Sequence, residues 1–321
     1  MNQLPELPER DLPPGRHRLL KEHLMTEIRQ EPSEAPVRRR FLRTALVAGA
    51  VAAVTAVVVT FTVPSGRGER AAAPDRPAAT KGAVEPGGAA GEAARLLEGI
   101  ALAAEHAEVP AGIRDDQFVY IRSKVAWTSQ SNDEPAKLDP VHEREVWLSV
   151  DGSRKGLLDE PYRDLDDVPL DREVAGNPSN TNYRHLQTLP TDPGKMYAWL
   201  NSVSQGSNSK DEANFVLVGD LARESLMPPA QAAALYRAAA RISGVFVIDD
   251  AVDAAGRHGV AVARVDRGQR FELIFDKKTK EFLGERAVAV EDLPWGFKKG
   301  DVTARTAILE RAVVDKAGQR P

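Results

Sequence analysis

Residues 44–63 read TALVAGAVAAVTAVVVTFTV and contain no charge. At about 1.5 Å rise per residue, twenty helical residues reach roughly 30 Å, the hydrocarbon thickness of a bilayer. A buried core helix of a soluble domain would usually keep a polar face, and this run has none. The sequence therefore predicts one transmembrane helix over 41–63. Gly49 and its small neighbours permit close packing between two such helices, although Ala-rich spans also occur singly.

Arg38, Arg39, Arg40 and Arg43 stand immediately before the span, with no acid among them. Basic residues are retained on the cytoplasmic side, so these four are the orienting residues and place the N-terminus inside. Arg67, Arg70, Arg76 and Lys81 come after the span and narrow the bias over a wider window. The junction Arg38-Arg39-Arg40-Phe41-Leu42-Arg43 also resembles a twin-arginine export signal. Its late position and the distance to Ala71-Ala72-Ala73 favour an uncleaved anchor over a signal peptide. Both readings export the residues C-terminal to the span.

Residues 1–40 form a short cytoplasmic head. Its first fourteen are Pro-rich and polar. Residues 15–30 can form a helix, with Leu20, Leu24 and Ile28 in a narrow apolar stripe. So short a helix is marginal alone in water. It would fold onto a cytoplasmic partner protein, lie on the membrane surface, or fray. Residues 64–90 are rich in Pro, Gly and Ala, lack aromatics, and cannot bury enough surface to order themselves. This linker, as a flexible coil, would span about 30 Å.

Residues 91–321 form the extracytoplasmic domain. A helix is expected at 92–106, with Ala94, Leu97, Ala101 and Ala104 on one side. Alternation predicts strands at 117–128 and 143–150, the latter closed by Asp151-Gly152. Residues 154–182 are rich in Asp, Pro and Asn and read as a long irregular excursion. Three helices come next. The first opens at Thr191, Asp192 and Pro193 and carries Met196, Trp199 and Leu200. The second covers 211–224, and the third runs from Pro228 to Ile242. Four strands, 244–252, 259–265, 269–275 and 282–290, then alternate with short turns, which favours antiparallel pairing. The fold class is α+β, with one antiparallel sheet covered by helices.

Few residues suggest chemistry. There is no cysteine, so disulfides, thiolate metal sites and thiol nucleophiles are excluded. A formal net charge of −4 over 321 residues does not suggest a nucleic-acid partner. The six histidines show no metal-ligand spacing, and no serine elbow or phosphate loop occurs. Asp249, Asp250 and Asp253 cluster near a turn without the alternation of a calcium loop. Glu143 and Glu145 share one strand face, as a carboxylate pair or as exposed charges beside Arg144. No catalytic residue, cofactor or metal is expected, and the chain is not read as an enzyme. Trp127, Trp147 and Trp199 could line a groove for an apolar ligand, or belong to the core.

The stretches DLPPGRHRLLKEHLMTEI (11–28), RRRFL (38–42), REVWLSVDGS (144–153), LPTDP (189–193), GVAVARVD (259–266) and ELIFDKKTKEFLGER (272–286) resemble a family of uncharacterised actinobacterial single-pass membrane proteins. The resemblance implies membrane location and, for some members, a place beside extracytoplasmic-function sigma factors. The zinc-bearing anti-sigma pattern H-x-x-x-C-x-x-C is missing. The resemblance supplies no catalytic residue. The strand meander after a helical block is also similar to the half-barrel of periplasmic lipoprotein carriers, and to that of a Gram-negative sensor that guards an anti-sigma factor. Two functions stand as expectations: a tethered extracytoplasmic sensor or interaction domain, with anti-sigma-like regulation included, or a carrier for a lipid or other apolar envelope ligand. A hydrolase is a third and weaker idea, since no nucleophile, metal or acid–base set is evident.

Overall fold

Helix α1 runs from Pro86 to Glu105 in the computed structural model. The structure describes residues 86–321 apart from 132–133, 174–176, 178–179 and 205–208. The span expected at 41–63, its orienting arginines and the cytoplasmic helix lie outside the described residues. Among the described residues, no helix is long and apolar enough to cross a membrane.

The α1 helix begins inside the stretch expected to be linker, five residues before position 91. Ala93, Leu97, Ile100 and Ala101 make its buried stripe. Helices of Gly/Ala-rich sequence are held mainly by such tertiary burial, and α1 packs on a later helix and on the sheet.

The strands are β1 (Phe118–Ala126), β2 (Thr128–Ser131), β3 (Glu134–Leu138), β4 (His142–Ser149), β5 (Gly156–Glu160) and β6 (Leu165–Leu170). After the helices come β7 (Phe246–Val252), β8 (His258–Asp266), β9 (Gln269–Phe275), β10 (Phe282–Ala289) and β11 (Val302–Val314). Nine of them form one sheet in the order β6-β5-β4-β1-β11-β10-β9-β8-β7. Every neighbouring pair in it is antiparallel. A separate hairpin pairs β2 with β3.

Two expectations are corrected here. Residues 154–182 are not wholly irregular, because they contain β5 and β6. The β6 strand carries Pro169 and two adjacent acids, composition that a central strand would not tolerate. It is tolerated because β6 lies at the sheet edge. The β11 strand was not expected at all, yet it is the central strand. It pairs with β1 from Phe118↔Val314 to Ala126↔Arg305, and with β10 through Arg286↔Arg305. The two meanders become one sheet only through this strand. The four strands from 244 to 290 form within about two residues of their expected limits.

Helices α2 (Tyr183–Gln187), α3 (Pro193–Val203), α4 (Lys210–Arg223) and α5 (Pro229–Ala239) lie between β6 and β7. The α3 cap forms as its sequence suggests: Asp192 Oδ1 accepts from the Lys195 amide at 2.8 Å, with Pro193 in the first turn. The helices cover one sheet face. Leu97, Ile121, Val146, Leu200, Phe215, Leu221, Leu235, Val262 and Phe275 meet there in a continuous core.

Helix α4 is tied to that face by charge as well as by apolar packing. Glu212 near its start meets Arg264 of β8, and Arg223 near its end meets Glu285 of β10 at 2.5 Å. Past its end, Glu224 accepts from Arg144 of β4 at 3.0 Å. Arg311 of β11 donates to the carbonyls of Ala222 and Ser225 at 2.6 and 2.9 Å, filling acceptors that a helix end leaves open. Gly219 lies where a Cβ would run into the Glu285 carboxylate, so the absence of a side chain lets the helix approach β10.

Candidate functional site

Strand alternation divides β9. Phe271, Leu273 and Phe275 enter the helix-covered core, so Arg270, Glu272 and Ile274 point to the other face. Register then brings Arg286 of β10 opposite Glu272, and Val288 opposite Arg270. Arg305 of β11 lies opposite Arg286 on the same face.

Glu272 is fully buried between these cations. Its Oε1 accepts from Arg270 Nε at 2.7 Å, and its Oε2 from Arg286 Nε at 2.8 Å. Each guanidinium is thereby fixed through its Nε edge, which leaves its terminal nitrogens for other acceptors. Beside them lies a depression of about 360 Å³, lined by Arg270, Arg286, Val288, Val290, Lys299 and Val302 among others. Lys299 is held by its backbone, whose amide donates to Asp292 Oδ1 at 3.0 Å, and its exposed side chain lines the cavity. The arrangement is a shallow basic cavity with an apolar floor, built from residues of β9, β10 and β11 and of the loop between β10 and β11.

The three tryptophans expected to line a groove do not meet. Trp199 packs against the main core from α3. Trp147 lies on the opposite face of the sheet, in a separate cluster with Phe118, Tyr120 and Val314. It is 1% exposed, and its Nε1 donates to the Gln319 carbonyl at 2.6 Å. Trp127 is half-buried beneath the Arg223 guanidinium, which stands 5.5 Å from the ring centre. The interior between sheet and helices is filled by side chains such as Leu97, Met196, Leu200 and Leu235, all fully or almost fully buried.

The carboxylates of β4 are also unlike the exposed pair the sequence suggests. Glu145 is buried, accepts from the Tyr120 hydroxyl, and is covered by Arg320. The Arg320 and Tyr120 hydrogen bonds hold its carboxyl below the usual range against the opposing effect of burial. Of the aspartate cluster, Asp253 is buried and takes up Arg257 at 2.7 Å, while Asp250 bonds His258 and Lys277. Among the described residues no group of three or more His, Cys, Asp or Glu could hold a metal ion.

A second charged cluster surrounds His142. Its Nε2 lies 2.7 Å from Glu160 Oε1, and its ring stacks on Tyr162 at 4.4 Å. Arg144 donates to the other Glu160 oxygen at 2.5 Å, and Arg163 to Asp139 at 2.7 Å. These groups neutralise one another in an enclosed space and bind the β4–β5 end of the sheet together. Their side chains are mostly buried, apart from Tyr162, which is exposed.

Arg270, Arg286 and Lys299 were missed by sequence reasoning. The alternation of QRFELIF does place Arg270 and Glu272 on one face. The meeting with Arg286 depends on the β9–β10 register, which no local pattern carries.

The described chain is thus an α+β domain with a nine-stranded antiparallel sheet, one face covered by helices and the other carrying a built basic cavity. No protein-family model and no curated protein sequence matches it. Among solved structures it is distantly similar to the crystal structure of MucB in complex with MucA(peri), at 14% identity and a TM-score of 0.22. That match covers 71% of this chain and 57% of that one, so the chain spans a little over half the length of this structural relative.

Proposed function

We propose that this protein is a membrane-tethered extracytoplasmic sensor or interaction domain that recognises its ligand on the sheet face opposite the helices. The observation that carries the reading is the pair Arg270 and Arg286, both held through Nε by the buried Glu272 and both lining the cavity. A carboxylate buried between two partly buried cations carries a desolvation cost. Preorganised donors on a rigid scaffold are what recognition requires. Binding is favoured over catalysis because buried acids and bases elsewhere, such as Glu160 with Arg144 and Glu285 with Arg223, are paired with one another. The filled sheet–helix interior is the reason for preferring this reading to that of an apolar carrier.

The tether is tested by topology. The chain has no cysteine, so one introduced thiol reports one position. In intact cells, Lys280→Cys should react with a membrane-impermeant maleimide, and Ser33→Cys should react only after permeabilisation. The reverse pattern would overturn the extracytoplasmic assignment.

A further inference from the structure

We infer that the cavity between Arg270, Arg286 and Lys299 binds a phosphate monoester, the dianionic group that a lipid headgroup or a soluble sugar phosphate would present. The inference rests on the face opposite the helices being the recognition surface, and it names the chemistry of that surface. Charge balance comes first. Arg270, Arg286 and Lys299 line the cavity and Arg305 stands opposite Arg286 on the same face, against the shared carboxylate of Glu272. The excess of positive charge favours a dianion over a carboxylate or a phosphodiester.

Geometry points the same way. A guanidinium presents paired N–H groups that suit phosphate oxygens, and two of them converge here. The shared carboxylate fixes both before any ligand arrives, so little side-chain freedom is lost on binding. The volume suits a small group at the lower end of ordinary ligand sites. Val288, Val290 and Val302 supply apolar contact for the carbon skeleton beside the phosphate.

Neighbouring charges confine the ligand. On the same face, register places Glu145 and Glu310 on either side of Arg122, and Glu143 opposite Lys124. Glu145 and Glu310 are ion-paired with Arg320 and Arg122, whereas Arg270 and Arg286 share the single carboxylate of Glu272. Arg305, opposite Arg286, adds positive potential at the rim.

The test uses the full chain. In neutral detergent micelles, glycerol 3-phosphate is titrated calorimetrically, with acetate and glycerol as controls. Binding of the phosphate ester at least about tenfold tighter than acetate is expected. Lys299→Gln, an exposed change with no part in the core, should weaken binding severalfold without altering the melting temperature. Arg286→Gln should weaken it about tenfold or more. The source of the phosphate is read in phosphatidylcholine nanodiscs with or without phosphatidic acid, from amide hydrogen exchange of residues 286–302. Protection by phosphatidic acid supports a lipid headgroup, and protection by the soluble ester alone supports a soluble ligand. No protection by either, equal affinity for acetate, or an unchanged affinity in Lys299→Gln would overturn the assignment. If the topology labelling fails while the ester still binds, the cavity chemistry stands and the tether reading falls.

Discussion

Arg264 of β8 donates to Glu212 at the start of α4 across 2.6 Å, while the other Glu212 oxygen is buried without a hydrogen-bond partner among the described residues. Burial pushes the Glu212 carboxyl up to about 7, against the lowering pull of Arg264. The helix is therefore anchored by a group that changes charge near neutrality.

The sign of the resulting pH dependence comes from the ordinary value of 4.5 for this carboxyl. Between about 4.5 and 7 the folded chain holds a proton that the unfolded chain has lost. Stability from this group falls as pH rises through that window, by at most about 1.4 kcal/mol per unit. Glu285 is shifted in the same direction by its burial, so the wild type must be compared with Glu212→Gln. Denaturation midpoints at pH 5 and 7.5 should differ less in the variant. An identical difference in both proteins would remove Glu212 as the cause.

Gly219→Ala should destabilise the fold, although alanine is the better helix former by about 1 kcal/mol. The added methyl would collide with the Glu285 carboxylate and lie 3.1 Å from Leu273 Cδ2. Overpacking of this kind costs about 1–3 kcal/mol, and Glu285 cannot move without leaving Arg223. Thermal melts decide the matter: a variant more stable than wild type would show that helix and sheet separate easily here.

Asp192→Ala should cost about 1 kcal/mol through loss of the α3 cap. The cap oxygen receives the Lys195 amide at 2.8 Å. Asp192→Asn should retain most of the stability, since an amide oxygen accepts the same bond. Equal losses in the two variants would point to charge instead of capping.

Deleting residues 315–321 should uncover Trp147. The Gln319 carbonyl takes its indole N–H, and Gly318 approaches Leu157, its neighbour in the same cluster. Tryptophan emission should shift to the red and become more sensitive to acrylamide, and a second change, Trp147→Phe, should abolish that difference. Unchanged emission after deletion would mean that the segment does not shield the ring.

Legibility tracked the range of the interaction. The α3 start was readable because Asp192, Pro193 and Lys195 lie within one turn. The meander from β7 to β10 was readable because each strand pairs with its sequence neighbour across a short turn. The β5 and β6 strands were not, because their Asp- and Pro-bearing sequence resembles a loop until an edge position makes it acceptable. The β11 strand was missed because one partner, β1, lies far away in sequence and the other, β10, lies across an irregular loop. Glu145 looked like an exposed charge because Tyr120 and Arg320, which bury and neutralise it, stand 25 and 175 residues away.

By itself the sequence determined the uncharged segment, the chain's lack of thiol chemistry, the α+β class and the α3 cap, because each rests on composition or on contacts within a turn or a hairpin. The tertiary structure alone decided that β11 unites the sheet, that the three tryptophans separate, and that Arg270, Glu272 and Arg286 converge. Those outcomes depend on strand register, where a slip of one residue would turn each side chain to the opposite face. Register is set by the packing of the whole sheet against its helices, which no short window of sequence contains.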